Sequence, residues 1–169
     1  MPTTIPTARA DFRARDTRCA GWLTLPPGPG PHPAIVLVHG LGATHDMMLG
    51  QYEQHFAAAG IATMAFDYRN TGASDGEPRQ HISARVQRHD VAAALAHLKA
   101  RPEIDPARVG LWGTSLGCMN VITMAATRDD VRSRWCSARS CTALARREGW
   151  ACTHRYGSRP QSSRTSCDW

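Results

Sequence analysis

Three runs of consecutive apolar residues constrain this chain more than any other feature. Ala34-Ile35-Val36-Leu37-Val38 is apolar throughout, residues 61–66 are nearly so, and Val109-Gly110-Leu111-Trp112, after Arg108, forms a third run. A strand without polar alternation is buried on both faces, as in a parallel sheet covered by helices. Each run leads into a turn or polar loop and then into a stretch of helical period. Residues 46–59 predict a helix with Met47, Met48, Tyr52, Phe56 and Ala59 on one side and Gly60 as its C-terminal cap. Residues 85–101 predict a second, with Val86, Val91, Leu95 and Leu98 toward the core and Pro102 as its stop. Residues 118–127 predict a third. Strand and helix in alternation mean an α/β fold with a mostly parallel sheet and helices on both faces. Residues 10–25 add two short strands, in which Phe12 and Ala14 alternate with Arg13 and Arg15, and residues 26–33 and 67–78 are loops.

The third run ends in Gly113-Thr114-Ser115-Leu116-Gly117. Gly-x-Ser-x-Gly between a strand and a helix is a nucleophile elbow, a turn tight enough to push the serine side chain out at the C-terminal edge of the sheet. Gly113 and Gly117 are required where a β-carbon would clash with the neighbouring strand or helix. The elbow also sets the first helical amides, which carry partial positive charge, beside the hydroxyl. The amide of Leu116 is thereby a candidate donor to an oxyanion. The other reading of the pentapeptide is a tight turn with a structural serine. The first run ends in His39-Gly40-Leu41-Gly42, again between strand and helix, where the amide of Leu41 is the candidate second donor. His39 precedes the nucleophile and reads as structural, not as the base.

These segments resemble the α/β-hydrolase superfamily, in the flavour of its dienelactone hydrolase-like, serine aminopeptidase-like and Xaa-Pro dipeptidyl peptidase-like esterases and peptidases. The resemblance rests on Val36-Leu37-Val38-His39-Gly40, Phe66-Asp67-Tyr68-Arg69-Asn70-Thr71-Gly72-Ala73-Ser74-Asp75-Gly76 and Gly113-Thr114-Ser115-Leu116-Gly117, in that order. It covers the first three-quarters of the chain. It implies hydrolysis of an ester, amide or thioester through a Ser115 acyl-enzyme, on a small-molecule ester or peptide-like substrate, without metal or organic cofactor. In the family the loop bearing Asp67, Arg69 and Asp75 is mainly a structural turn, and Arg69 is expected to pair with a nearby carboxylate. His45, His55, His81, His89 and His97 read as surface residues.

The mechanism also needs a base for Ser115 and an acid to orient that base, which the family supplies in the order Ser, Asp or Glu, His. After Ser115 the only histidine is His154, and the acids before it are Asp129, Asp130 and Glu148. None follows a plausible strand. The expected fold is therefore an incomplete α/β-hydrolase, and a non-catalytic remnant is the alternative function.

Composition separates the two ends of the chain. Residues 1–130 balance twelve basic against twelve acidic side chains, whereas residues 131–169 hold eight arginines against Glu148 and Asp168, which is the whole net charge of +6. Among Leu, Ile, Val, Met and Phe, residues 132–169 contain only Leu144. We therefore expect residues 1–130 to be the N-terminal part of the hydrolase domain, and residues 131–169 to be an Arg/Ser/Cys-rich tail without a strand. The whole chain uses nineteen Arg to one Lys, as G+C-rich coding DNA would give, and the tail reads as out-of-frame translation of such DNA. Cys136, Cys141, Cys152, His154 and Cys167 match no paired Cys-x-x-Cys zinc spacing, so no metal is expected. Basic charge without a recognition motif implies no specific nucleic-acid partner. Residues 1–10 lack the apolar core of a signal peptide, and no run approaches the roughly 20 apolar residues of a membrane span, so a cytoplasmic, membrane-free protein is expected.

Overall fold

In a computed structural model of the chain, residues 4–129, 131, 133–137 and 151–152 are described, the last two segments as backbone. The first apolar run becomes β5 (His32–Val38), the second β6 (Ala62–Phe66) and the third β7 (Ile104–Thr114). The intervening helices are α1 (His45–Ala58), α2 (Ala84–Lys99) and α3 (Leu116–Thr127). Strands β5, β6 and β7 run parallel, with β5 between the other two.

Strand parity decides which helix covers which face. Val36, Val38, Met64, Phe66 and Leu111 point to one side, where Val91, Leu95 and Leu98 of α2 and Val121 and Met124 of α3 bury them. Ile35, Leu37, Ala65 and Trp112 point to the other, under Leu49, Tyr52 and Phe56 of α1. The helices thus lie on both faces. The stripe on α1 differs from the predicted one: Met47 is 64% exposed, and Leu49, Glu53 and Ala57 are buried instead. α1 ends as expected. Gly60 takes φ +83°, and the amides of Gly60 and Ile61 donate to the carbonyls of Ala57 and Phe56 at 3.0 Å each. That pair of hydrogen bonds closes the last turn on the carbonyls of the helix end.

The N-terminal segment is more divided than the sequence predicts. It forms β1 (Thr7–Arg9), β2 (Phe12–Ala14), β3 (Thr17–Cys19) and β4 (Gly21–Thr24). β2 and β3 make a separate hairpin, whose Phe12 meets Phe66 edge-on at 5.6 Å. β4 joins the main sheet antiparallel to β6, and β1 pairs with β4. The break falls at Gly21, where a β-carbon would stand 2.3 Å from the Ala10 carbonyl oxygen.

The expectation of no strand after residue 130 is corrected. β8 (Ser133–Ser137) runs parallel to β7, opposite residues 110–114, and β9 (Ala151–Cys152) runs parallel to β8. A ladder needs only amides, carbonyls and an open edge on β7, and composition reports none of these. The described sheet has the order β1-β4-β6-β5-β7-β8-β9.

Candidate active site

Parallel strands bring their C-terminal ends to one edge of the sheet, and ligands of open α/β sheets bind outside that edge. The segments after β5, β6 and β7 all meet there. Ser115 occupies the junction of β7 and α3 with φ +52° and ψ −122°, a conformation costly for any residue with a side chain. Its side chain is exposed. The turn is closed by the Cys118 amide donating to the Ser115 carbonyl at 3.0 Å and by the Cys118 thiol donating to the Gly113 carbonyl at 3.1 Å.

Three glycines set how closely the surroundings approach. A β-carbon on Gly117 would lie 2.2 Å from the Val38 carbonyl oxygen, and one on Gly113 would lie 2.8 Å from the Gly117 backbone. A β-carbon on Gly40 would lie 3.0 Å from Cβ of Ser115. The segment after β5 therefore packs directly against the elbow. Leu41 follows with its side chain 63% exposed, and its amide has no backbone partner among the described residues. Leu116 opens α3, where amides have no intrahelical acceptor.

His39 is buried in the same junction. Its Nδ1 stands 3.1 Å from the Gly40 carbonyl oxygen, which can only accept, so Nδ1 carries the proton. The ring meets Tyr68 edge-on at 4.5 Å, and Nε2 has no partner among the described residues. Burial pushes its pKa below the ordinary histidine value, and the nearby Asp67 only partly opposes that.

The loop after β6 is held by buried polar groups. Asp67 Oδ1 accepts the His45 amide at 2.7 Å, and Oδ2 accepts the Ala73 amide at 2.9 Å. Arg69 pairs with a carboxylate as expected. Its Nε and Nη2 donate to Oδ1 of the fully buried Asp90 at 2.7 and 2.5 Å, and its own amide donates to Oδ2 at 3.1 Å. Burial pushes the Asp90 carboxyl up, against the pull of these donors. Asn120 of α3 donates to the Tyr68 hydroxyl at 3.1 Å and to Gln87 of α2 at 3.2 Å.

His45 is not the surface residue its sequence context predicts. It stacks on Trp22 at 3.9 Å with the rings 6° from parallel, and its Nε2 donates to the buried Glu53 at 3.0 Å. Burial works against a charged ring, but the Glu53 carboxylate prevails and raises its pKa. Trp22 arrives from β4, which is why no local pattern marks the contact. His55, His81 and His89 are exposed, and His97 is half-buried.

Between the segments after β5 and β6 lies a cavity of about 400 Å³, lined by Gly42, Thr44, Thr71, Arg79, Gln80 and Ile82 among others. The sequence gives no sign of it, because its walls come from two loops brought together only by the parallel sheet. Among the described residues no hydrogen-bonded base stands on Ser115, and no group of three His, Cys, Asp or Glu side chains could hold a metal. His154, Asp130, Glu148 and the side chains of the zinc reading (Cys136, Cys141, Cys152, His154 and Cys167) lie outside the described residues. No described helix is long and apolar enough to cross a membrane.

The family model described as the alpha/beta hydrolase fold matches residues 33–143. The chain belongs to the α/β-hydrolase family. Among curated family relatives it is similar to the quorum-quenching protein AidA of Acinetobacter baumannii, 40% identical over 124 residues, which are 72% of this chain and 41% of that protein. It is similar also to the thiohydrolase aneE of Aspergillus aculeatus, 36% identical over 100 residues, 59% of this chain and 31% of that one. The crystal structure of the α/β-hydrolase GrgF from a Penicillium species superposes with a TM-score of 0.74 at 29% identity, over 86% of this chain and 51% of that chain. The chain thus spans about two-fifths of AidA and about a third of aneE.

Proposed function

We propose that this chain carries the nucleophile half of a serine hydrolase. Ser115 Oγ attacks an acyl carbonyl, its proton passes to a base, and the amides of Leu41 and Leu116 hold the oxyanion of the tetrahedral intermediate. Collapse of that intermediate expels the alcohol, thiol or amine and leaves an acyl-enzyme, which water then hydrolyses. The observation that carries this reading is the backbone of Ser115. A non-glycine residue held at φ +52° between a strand and a helix, with an exposed hydroxyl, costs stability that a structural serine has no reason to cost. His39, Gly40, Gly113 and Gly117 shape the elbow in this reading and do no chemistry. Substrates are small-molecule esters, thioesters or peptide-like amides. Thioesters gain support from the thiohydrolases among the relatives.

A second reading is favoured by one observation. No base among the described residues is hydrogen-bonded to Ser115, and in this reading the chain is a non-catalytic remnant of the same fold. A fluorophosphonate probe on the 169-residue chain separates the two. Labelling that disappears in Ser115→Ala supports the hydrolase, and folded protein that stays unlabelled supports the remnant.

A further inference from the structure

Arg79, an exposed residue, lines the cavity between the segments after β5 and β6, and no carboxylate pairs with it among the described residues. Arg79 Nη1 donates to the carbonyls of Ser74 at 2.6 Å and Gly76 at 3.3 Å, and Nη2 donates to that of Gly72 at 2.8 Å. A guanidinium has five N–H donors, so two remain. No carboxylate lies within ion-pairing distance among the described residues. The two nearest acids in sequence are committed elsewhere: Asp75 to Arg18 at 2.6 Å, and Glu77 to the backbone amide of Arg79 at 2.9 Å.

The wall that carries this arginine is built to hold one shape. Asn70 and Gln80 both sit in the left-handed region, at φ +68° and +60°. The Gln80 amide donates to the Asn70 carbonyl at 2.7 Å, and the Asn70 amide to that of Asp75 at 2.8 Å. Thr44, Thr71 and Gln80 add polar groups, and Ile82 supplies an apolar rim. The position is equally pointed. Gly42 of the lining follows Leu41 directly, and the walls come from the segments that follow β5 and β6. The large apolar side chains exposed among the described residues are Leu41, Met47, Ile82 and Met119. All four follow the C-terminal ends of β5, β6 or β7.

We propose that this cavity is a substrate subsite for a carboxylate, held by Arg79, so that the preferred substrates are esters or thioesters whose acyl part ends in a carboxylate. The proposal rests on the Ser115 reading for the word substrate, and on Arg79 alone for the anion. The carbonyl sits at Ser115, an apolar stretch crosses Leu41, and the terminal carboxylate takes the two remaining N–H donors of Arg79. A planar guanidinium pairs two parallel donors with a carboxylate, which sets this group apart from a neutral end of the same size.

The test is calorimetric titration of the 169-residue chain with succinate, with its neutral diamide succinamide, and with inorganic phosphate. The proposal expects saturable succinate binding, at least about tenfold weaker succinamide binding, a loss of about tenfold or more in Arg79→Gln, and a partial loss in Arg79→Lys, which keeps the charge without the fork. Bound succinate is also expected to slow fluorophosphonate labelling of Ser115. Equal binding of succinate and succinamide, phosphate binding as tight as succinate, or unchanged binding in a folded Arg79→Gln each overturns it. The comparison of succinate with succinamide on the unaltered chain stands even if the variants do not fold. Succinate binding without any labelling of Ser115 upholds the anion site and removes the hydrolase. Labelling without succinate binding does the reverse.

Discussion

Gly117 lies directly under the Val38 carbonyl, with 2.2 Å between that oxygen and the place where a β-carbon would go. The His39 carbonyl is the next neighbour, at 2.7 Å. Both contacts are backbone, so neither can swing aside. In an exposed helix, glycine to alanine gains about 1 kcal/mol. Here the sign reverses: Gly117→Ala is expected to cost about 2 kcal/mol or more, because α3 must lift off β5. Urea unfolding midpoints measure it, and a variant as stable as the parent would show that the elbow has slack.

Ser115 stores strain that glycine would release. A residue at φ +52° and ψ −122° costs about 1–3 kcal/mol, and glycine gives back less than 1 kcal/mol of that through its freer unfolded chain. Ser115→Gly is therefore expected to be about 1 kcal/mol more stable than Ser115→Ala, with probe labelling lost in both. Thermal melts of the two variants side by side decide it. Equal melting temperatures would mean that the elbow is unstrained.

The Arg69–Asp90 pair joins the end of β6 to α2, and the aspartate is fully buried. Asp90→Ala leaves the arginine without its three hydrogen bonds to that carboxylate, at an expected cost of about 3 kcal/mol. Replacing both partners, as in Arg69→Met with Asp90→Leu, is expected to recover much of the loss, because no charge is then stranded. Denaturant titration of the single and double variants gives the coupling. Additive losses would show that the two groups act independently.

His39 gives the pH dependence of stability a direction. Its folded pKa lies below the ordinary value of 6.5, because burial disfavours the charged ring. The stability it contributes is therefore fully present above pH 6.5 and is lost as pH falls through the folded pKa. His45 is shifted upward, and its contribution runs the other way, present at low pH and lost as pH rises. Between pH 7 and pH 5 (roughly the window in which histidine titrates) His39→Asn is expected to lose less stability than the parent chain. Unfolding midpoints at three pH values test this, and parallel curves would take His39 out of the account.

Much of the sheet was legible because the buried centres of β5, β6 and β7 show no polar alternation, and a strand of that kind has few places to go. The elbow was legible because Gly113, Ser115 and Gly117 have fixed offsets between a strand and a helix. Contacts between distant segments were not. His45 looks like a surface helix residue until Trp22 arrives from β4 and Glu53 closes from two turns along. The stripe on α1 was misplaced at Met47 because helical period alone does not say which side the sheet takes. β8 escaped notice because composition predicts side-chain burial, whereas the edge of β7 asks only for backbone. Arg79 carries no local mark at all, since its partners are the carbonyls of its own loop.

Asp67 ties two loops together. One carboxylate holds the first amide of α1 on one oxygen and the amide of Ala73 on the other. The loop bearing Leu41 and the loop bearing Arg79 are thereby fastened to the same atom group. A substitution that displaces one of these loops is expected to displace the other through Asp67.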